Sequence, residues 1–247
     1  MDISVIHSGI RALDEVLQGI RLSDNVVWQV DRLEDYQYFA EPFAEAAIAN
    51  RLRLVYLRFA SHPCVLAPRP GLETIELNPS LGFDSFTREV HRLIESHGPG
   101  VMYVFDNLSA LVVEWATDEL LANFFQITCP FLYELNTVAY FALRRGQHAH
   151  SAVARIRDTT QILVDVYHVK GRMHIHPIKV WDRYSPQMFL PHLIAGESWL
   201  PLSHSSEAVE VLTSAHPTPL IDTNRPLAPW ESVYQKLVHY REHPSGL

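Results

Sequence analysis

Residues 25–36 read NVVWQVDRLEDY, a short apolar run followed at once by a mostly acidic segment. The run NVVWQV is rich in β-branched residues, which is typical of a buried strand. Apolar residues recur near the helical period over residues 36–50, so a helix is predicted soon after the strand. The acidic segment therefore marks the point at which a buried strand gives way to a helix.

The alternation of strand and helix patterns continues to about residue 145. Further strand-like apolar runs lie at residues 54–59, 101–105, 138–143 and 162–166. Helices are predicted at residues 83–97 and 118–135, with a kink or a new start at Pro130. The later strand-like segments, residues 173–180 and 188–193, follow one another without helices. We therefore predict an α/β fold with a mostly parallel central sheet, helices on both faces and a C-terminal antiparallel extension.

The composition changes after residue 200. Serine and proline become frequent, which favours a tail or a linker over a packed core. We therefore predict one domain at residues 1–200 and a Pro-rich tail at residues 201–247. Within the tail, a short amphipathic helix is predicted from Pro229. Its apolar stripe would cover either its own domain or another protein.

The composition also excludes several classes of function. The formal net charge of the 247 residues is −8, which disfavours nonspecific nucleic-acid binding because such binding needs clustered Lys and Arg. Two cysteines, Cys64 and Cys129, are too few for a disulfide framework or a thiolate zinc site. The sequence contains no membrane-spanning run and no signal-peptide pattern, so a cytoplasmic protein without membrane contact is expected.

Lysine and glycine are distributed unevenly. The only lysines are Lys170, Lys179 and Lys236, and no glycine lies between Gly19 and Gly71. The acidic segment at residues 31–36 therefore lies in a part of the chain that has neither residue. Chemistry that depends on lysine is excluded from the first 169 residues.

The segment before the first core strand resembles a known family. Residues 8–30 read SGIRALDEVLQGIRLSDNVVWQV and are similar to the lead-in of RecA-like P-loop ATPases of the KaiC type. The matching residues are Ser8, Gly9, Leu13, Asp14, Leu17, Gly19 and Ile20. The run VMYVFD, which ends at Asp106, resembles the Walker B element of that family. The resemblance continues in outline to about residue 180 and implies a RecA-like fold.

The chain departs from this family at the phosphate-binding loop. A P-loop supplies glycines, a lysine for the β- and γ-phosphates, and a Ser or Thr for Mg²⁺. Residues 31–36 read DRLEDY and contain none of these. Their three carboxylates would repel phosphate charges placed a few ångströms away. They also suit another role, because acidic side chains stabilise and cap a helix N-terminus.

A second loss concerns the residue that would orient the attacking water. KaiC-like proteins carry a catalytic glutamate after their second strand, where this chain reads RFASH at residues 58–62. Ordinary P-loop ATP hydrolysis is therefore not expected. The resemblance still implies a degenerate nucleotide site, formed by Asp31, Arg32, Asp35, Asp106 and Asn107. Asp106 would hold Mg²⁺ if Mg²⁺ and ATP bind a remodelled site, and otherwise it caps the turn after its strand.

Histidine and serine patterns support no separate site. The pairs His148-x-His150 and His174-x-His176 lack the further ligands that a zinc ion needs. The sequence contains no Gly-x-Ser-x-Gly motif of the kind that presents a serine nucleophile. Unrelated chemistry at the carboxyl ends of the strands remains an alternative. It would use Asp106, Arg144, Arg145 and His148.

A closer resemblance suggests a setting for the domain. The segments NVVWQVDRLEDY, YVFDNLS, NFFQITCPFLYELNTVAYFAL and RYSPQMFLPHL resemble a KaiC-like segment found with bacterial phosphoenolpyruvate synthase-like (pyruvate, water dikinase) proteins. The chain is too short to hold the catalytic domains of a dikinase. The resemblance therefore implies an accessory module rather than the enzyme itself.

Two hypotheses about function follow. The first is a non-hydrolysing RecA/KaiC-like domain, a pseudo-ATPase that acts as a binding, assembly or regulatory module. Because RecA-like domains assemble as rings or filaments, the resemblance also implies a homo-oligomer. The alternative is an accessory or regulatory component of a phosphoenolpyruvate synthase-like system that still senses a nucleotide or a metabolite.

Overall fold

The computed structural model describes residues 5–215 of the chain. The strands are β1 (Val5–Ile6), β2 (Ile20–Arg21), β3 (Asn25–Val30), β4 (Leu54–Arg58), β5 (Leu72–Glu76), β6 (Met102–Asn107), β7 (Val138–Arg144), β8 (Ile162–Val169), β9 (Arg172–Val180), β10 (His192–Ala195) and β11 (Ser198–Pro201). The helices are α1 (Arg11–Leu17), α2 (Leu33–Ala49), α3 (Phe83–His97), α4 (Ser109–Trp115), α5 (Asp118–Glu134), α6 (His150–Thr159) and α7 (Ser205–Ala215). A 3₁₀ turn spans Pro79–Leu81. The amphipathic helix predicted from Pro229 lies outside the described residues.

Nine of the strands form one mixed sheet in the order β11-β10-β9-β8-β3-β7-β6-β4-β5. The strands from β8 to β5 in this order are parallel to one another. The strands β9, β10 and β11 continue the sheet in antiparallel pairs. The predicted α/β fold with a mostly parallel sheet and a C-terminal antiparallel extension is therefore confirmed.

Helices cover both faces of the sheet because the central strands are buried on both sides. In β3, Val26 and Trp28 face the core beneath α1 and α2, and Val27 faces the core beneath α3 and α5. On the first face, the ring of Phe43 stacks on Tyr140 with centroids 4.1 Å apart. Such burial of apolar area on both faces is the main stabilising contribution to a parallel sheet.

The lead-in segment is held by a short network of its own. Gly9 has a φ of +81°, and a Cβ at this position would lie 2.1 Å from the carbonyl oxygen of Pro42. Only glycine fits this site. The preceding Ser8 is buried, and its N–H donates to Asp14 Oδ1 at 3.0 Å. Among the residues that match the KaiC-like lead-in, Gly9 therefore packs closely against α2, and Ser8 and Asp14 are hydrogen-bonded to each other.

Several features differ from the prediction. Helices α4 and α6 and strand β11 were not expected, and the strand predicted at residues 188–193 is β10, His192–Ala195. The helix α5 runs through Pro130 without a new start. The edge strand β5 was not expected, since its sequence LETIE is largely polar. Helix α7 was not expected either, and its Val211 packs with Tyr167 and Val169 of β8. Within residues 5–215, no helix has both the length and the apolar character needed to cross a membrane.

Candidate functional site

The parallel strands all end at one edge of the sheet. This edge is where open α/β sheets bind their ligands. The turn after β3, the segment after β4, the end of β6 and the end of β7 meet there. The candidate residues of the degenerate nucleotide site follow β3 or lie at the end of β6, so the structure places all five at this edge.

Asp106 is completely buried, and protein donors surround its carboxylate. Oδ2 accepts the backbone N–H groups of Phe59 at 3.1 Å and Ala60 at 3.0 Å. Oδ1 accepts the hydroxyl of Tyr56 at 3.3 Å and lies 2.7 Å from Nε2 of His62. Both carboxylate oxygens are thus engaged, and they fix the path of the chain after β4. The assignment of Asp106 as a Mg²⁺ ligand stays a prediction.

His62 balances the charge of this buried carboxylate. Its Nε2 faces Asp106, and its Nδ1 lies 2.7 Å from the carbonyl oxygen of Pro63. Because both ring nitrogens face oxygen acceptors, the imidazole satisfies both contacts only when it is doubly protonated. The Asp106 carboxylate accordingly raises the pKa of His62 above its ordinary value. A histidine paired with Asp106 therefore stands after β4, where KaiC-like proteins carry a catalytic glutamate.

The turn between β3 and α2 is closed by Asp35. Only Asp31 and Arg32 separate the strand from the helix. The Asp35 carboxylate accepts the backbone N–H of Arg32 at 3.3 Å, and the Asp35 N–H donates to the Arg32 carbonyl at 3.2 Å. The predicted capping role is confirmed for Asp35. A two-residue turn leaves no loop whose backbone N–H groups could surround a phosphate.

Asp31 and Asp35 each lie against basic side chains. The Asp35 side chain, 3% exposed, lies 3.1 Å from the Arg32 guanidinium and 2.8 Å from His168 Nε2. The exposed Asp31 accepts a hydrogen bond from Arg145 Nε at 2.8 Å. The Arg145 guanidinium also donates to the carbonyl of Val166 at 2.5 Å. Asp31 and Asp35 are therefore held by separate groups of side chains, and neither contacts Asp106.

Asn107 shapes the start of α4. Its Oδ1 accepts the backbone N–H of Ser109 at 3.1 Å, and the residue is 8% exposed. This is a turn in which an asparagine side chain replaces a backbone acceptor. The predicted nucleotide-site residues thus share one edge of the sheet, but each is engaged in a local structural contact.

Sequence reasoning missed a Ser-His-Asp arrangement beside this edge. Ser109 Oγ lies 2.6 Å from His148 Nε2, and His148 Nδ1 lies 2.7 Å from Asp118 Oδ1. The backbone N–H of Ala149 donates to Asp118 Oδ2 at 2.6 Å, and the N–H of Arg144 donates to Ser109 Oγ at 2.8 Å. Burial tends to raise the pKa of Asp118, but these donors lower it overall. The residues lie 39 and 30 positions apart in the sequence, so no local motif could reveal them.

This arrangement resembles a hydrolase triad in its order of contacts. However, the His148 side chain is 1% exposed and Ser109 is 5% exposed. Ser109 lines neither of the two cavities at this edge. Its hydroxyl also accepts the Arg144 N–H, which holds the end of β7 in place. The geometry therefore fits a structural brace between α4, α5 and the segment after β7.

Two cavities open at this edge, and His62 lines both. The first, of about 480 Å³, lies between the segment after β4, the 3₁₀ turn and α4. The second, of about 250 Å³, lies between the first turn of α2 and the segment after β4. Its polar lining consists of Arg32, Glu34, Gln37, His62 and Arg144.

The remaining candidates fall into packing roles. His174 is buried, and burial lowers its pKa. Cys129 is buried in the core, where desolvation raises the pKa of its thiol well above the ordinary value. Across residues 5–215, no group of three or more His, Cys, Asp or Glu side chains is arranged to hold a metal ion.

Comparisons with known proteins were made for the whole chain. A search with models of known protein families finds no match, and a search among curated proteins finds none either.

Proposed function

We propose that this chain is a degenerate RecA/KaiC-like domain that does not hydrolyse ATP and serves as a binding, assembly or regulatory module. The observation that carries the proposal is the two-residue turn between β3 and α2. In the family that the sequence resembles, this position holds the glycine-rich loop around the phosphates. Here the Asp35 carboxylate occupies the N-terminus of α2 and bonds the Arg32 N–H.

The surroundings of Asp106 support the same proposal. A Mg²⁺ ligand needs an oxygen that is free to face the ion. Both oxygens of Asp106 are engaged with Tyr56, His62 and the backbone after β4. The segment after β4 also lacks the glutamate that would orient a water for attack on phosphate, and its His62 lies against Asp106 instead.

The segments that resemble the RecA/KaiC-like family meet at one edge of the sheet, which supports descent from such a domain. The segments that resemble the P-loop position, the Walker B element and the strand before the catalytic glutamate are far apart in sequence. Two of these segments line the second cavity, since Arg32 and His62 are both in its lining. His62 in turn contacts Asp106 of the third segment. A nucleotide site built from the three segments would require them to meet in this way. The edge is therefore consistent with a nucleotide site that has lost its catalytic residues.

Titration calorimetry with Mg-ATP, combined with an assay of phosphate release, tests the proposal. We expect no released phosphate from the full chain and no saturable heat that depends on Asp106. The variant Asp106→Asn and the matched control Asp84→Asn, at an exposed position of α3, should give the same result. Saturable binding with phosphate release that Asp106→Asn abolishes and Asp84→Asn retains would contradict the proposal.

A further inference from the structure

Arg144, the last residue of β7, differs from the other inward-lying arginines. Its Nε atom is buried without a hydrogen-bond partner, as is the Nε of Arg58, but the Arg58 guanidinium has a carboxylate partner in Glu76. Within residues 5–215, its guanidinium makes no hydrogen bond or ion pair. The other described arginines that are at least partly buried each lie within 3.7 Å of a carboxylate oxygen: Arg21, Arg58, Arg69, Arg145, Arg155 and Arg183.

A partly buried guanidinium without a partner is costly, because desolvation removes water that nothing replaces. Arg144 lines the second cavity, of about 250 Å³. Within the described part of the chain, the Nη atoms of Arg144 make no hydrogen bond, and they are not enclosed like its Nε. An anion in the cavity would give these Nη atoms an acceptor.

The cavity is otherwise suited to a negative charge. Arg32 and His62 form part of its wall beside Arg144. Glu34 is the one acidic residue in the lining, and it is exposed.

The fold also holds Arg144 in position. Its backbone N–H donates to Ser109 Oγ, and Ser109 is braced in turn by His148 and Asp118. A recognition side chain whose backbone is fixed in this way loses little freedom on binding. The buried Ser-His-Asp arrangement thereby acquires a role beyond packing.

We propose that the second cavity binds a small oxyanion, a phosphate or carboxylate group, through the guanidinium of Arg144. A guanidinium binds a phosphate or a carboxylate through two parallel N–H···O bonds. The feature that both ligands share is a pair of negatively charged oxygens. The cavity is below the usual size for a drug-sized ligand, so the group belongs to a small molecule. This site goes beyond the proposed function, because a binding, assembly or regulatory domain that does not hydrolyse ATP does not need an anion-binding site.

Calorimetry of the full chain in a phosphate-free buffer, at constant ionic strength, tests the site. Inorganic phosphate and acetate are titrated separately. We expect saturable binding of at least one of them, and the one that binds more tightly identifies the class of ligand. Arg144→Gln should weaken that binding about tenfold or more. Glu34→Gln should strengthen it, because a like charge is removed from the cavity.

Arg92→Gln is the matched control, because Arg92 is exposed on α3 and lines neither cavity. It should leave binding unchanged. No saturable heat from either anion, or equal binding by Arg144→Gln and the parent protein, would overturn the proposal. An equal loss in Arg92→Gln would also overturn it, since binding would then reflect general surface charge.

A thermal melt without added anion separates a binding role from a structural one. An arginine that awaits a ligand contributes no ion pair to the empty fold, so Arg144→Gln should melt no lower than the parent protein. A clear fall in its melting temperature would assign Arg144 a structural role and contradict the site.

Discussion

At the scale of single residues, the candidate site is a set of carboxylates that each have a cation of their own. Asp106 pairs with His62, Asp35 with Arg32 and His168, and Asp31 with Arg145. Buried charges are tolerated when they are paired and hydrogen-bonded in this way. These three carboxylates therefore already have partners within the protein.

The His62–Asp106 pair predicts a pH dependence of stability. The folded-state pKa of His62 lies above its unfolded value, which is about 6.5. Its contribution to stability is therefore fully present below pH 6.5 and is lost as the pH rises through the folded-state pKa. Burial lowers the pKa of His91, His174 and His192, so their effects fall below that window.

Urea unfolding at a series of pH values from 6 upward measures this effect. The parent protein should lose free energy of unfolding as the pH rises, and His62→Gln should remove that part of the slope. His150→Gln, at an exposed position at the start of α6, is the control and should retain the slope. A slope in His62→Gln equal to that of the parent would show that the imidazole carries no charge in the fold.

At the scale of elements, the turn between β3 and α2 is short and is closed by a side chain of the helix. Asp35 stands at the third helical position and closes the turn by bonding the Arg32 N–H. The Asp35 carboxylate would have to move before the backbone N–H of Arg32 could bind a phosphate.

Asp35→Ala should therefore lower the free energy of unfolding by about 1–2 kcal/mol, the usual effect of losing a helix cap. Glu34→Ala is the matched control, because Glu34 lies in the same first turn but is exposed, and it should change stability by less than about 0.5 kcal/mol. Chemical denaturation of the two variants makes the comparison. Equal effects would mean that Asp35 acts only through the helix dipole and does not close the turn.

The sequence was sufficient to locate the central strands and helix α2. It was not sufficient to find which side chains contact one another. Apolar runs such as NVVWQV and VMYVF predict strands because both of their faces are buried. The largely polar β5 carries no such signal, since it lies at the sheet edge. Likewise, the partner of Asp106 lies 44 residues earlier and that of Asp31 lies 114 residues later. Such pairs are set by strand order, which a local pattern does not encode.

At the scale of the whole molecule, the two outermost strands of the sheet, β5 and β11, discourage further strand pairing. The edge strand β5 carries Glu73 and Glu76, which form ion pairs with Arg53 and Arg58. The opposite edge strand, β11, ends at Pro201, which has no N–H to donate. Charged residues and proline protect sheet edges from edge-to-edge association. A homo-oligomer, as the RecA-like resemblance implies, would form through side-chain surfaces rather than by strand addition.

The central claim is that the turn between β3 and α2 is closed in the native protein. Hydrogen–deuterium exchange of a peptide that covers residues 31–36, with and without Mg-ATP, tests it most directly. We predict slow exchange, because the N–H groups of Arg32 and Asp35 are bonded within the turn, and no change with Mg-ATP. Fast exchange that Mg-ATP suppresses would show an open loop that closes on a nucleotide, and would contradict the account.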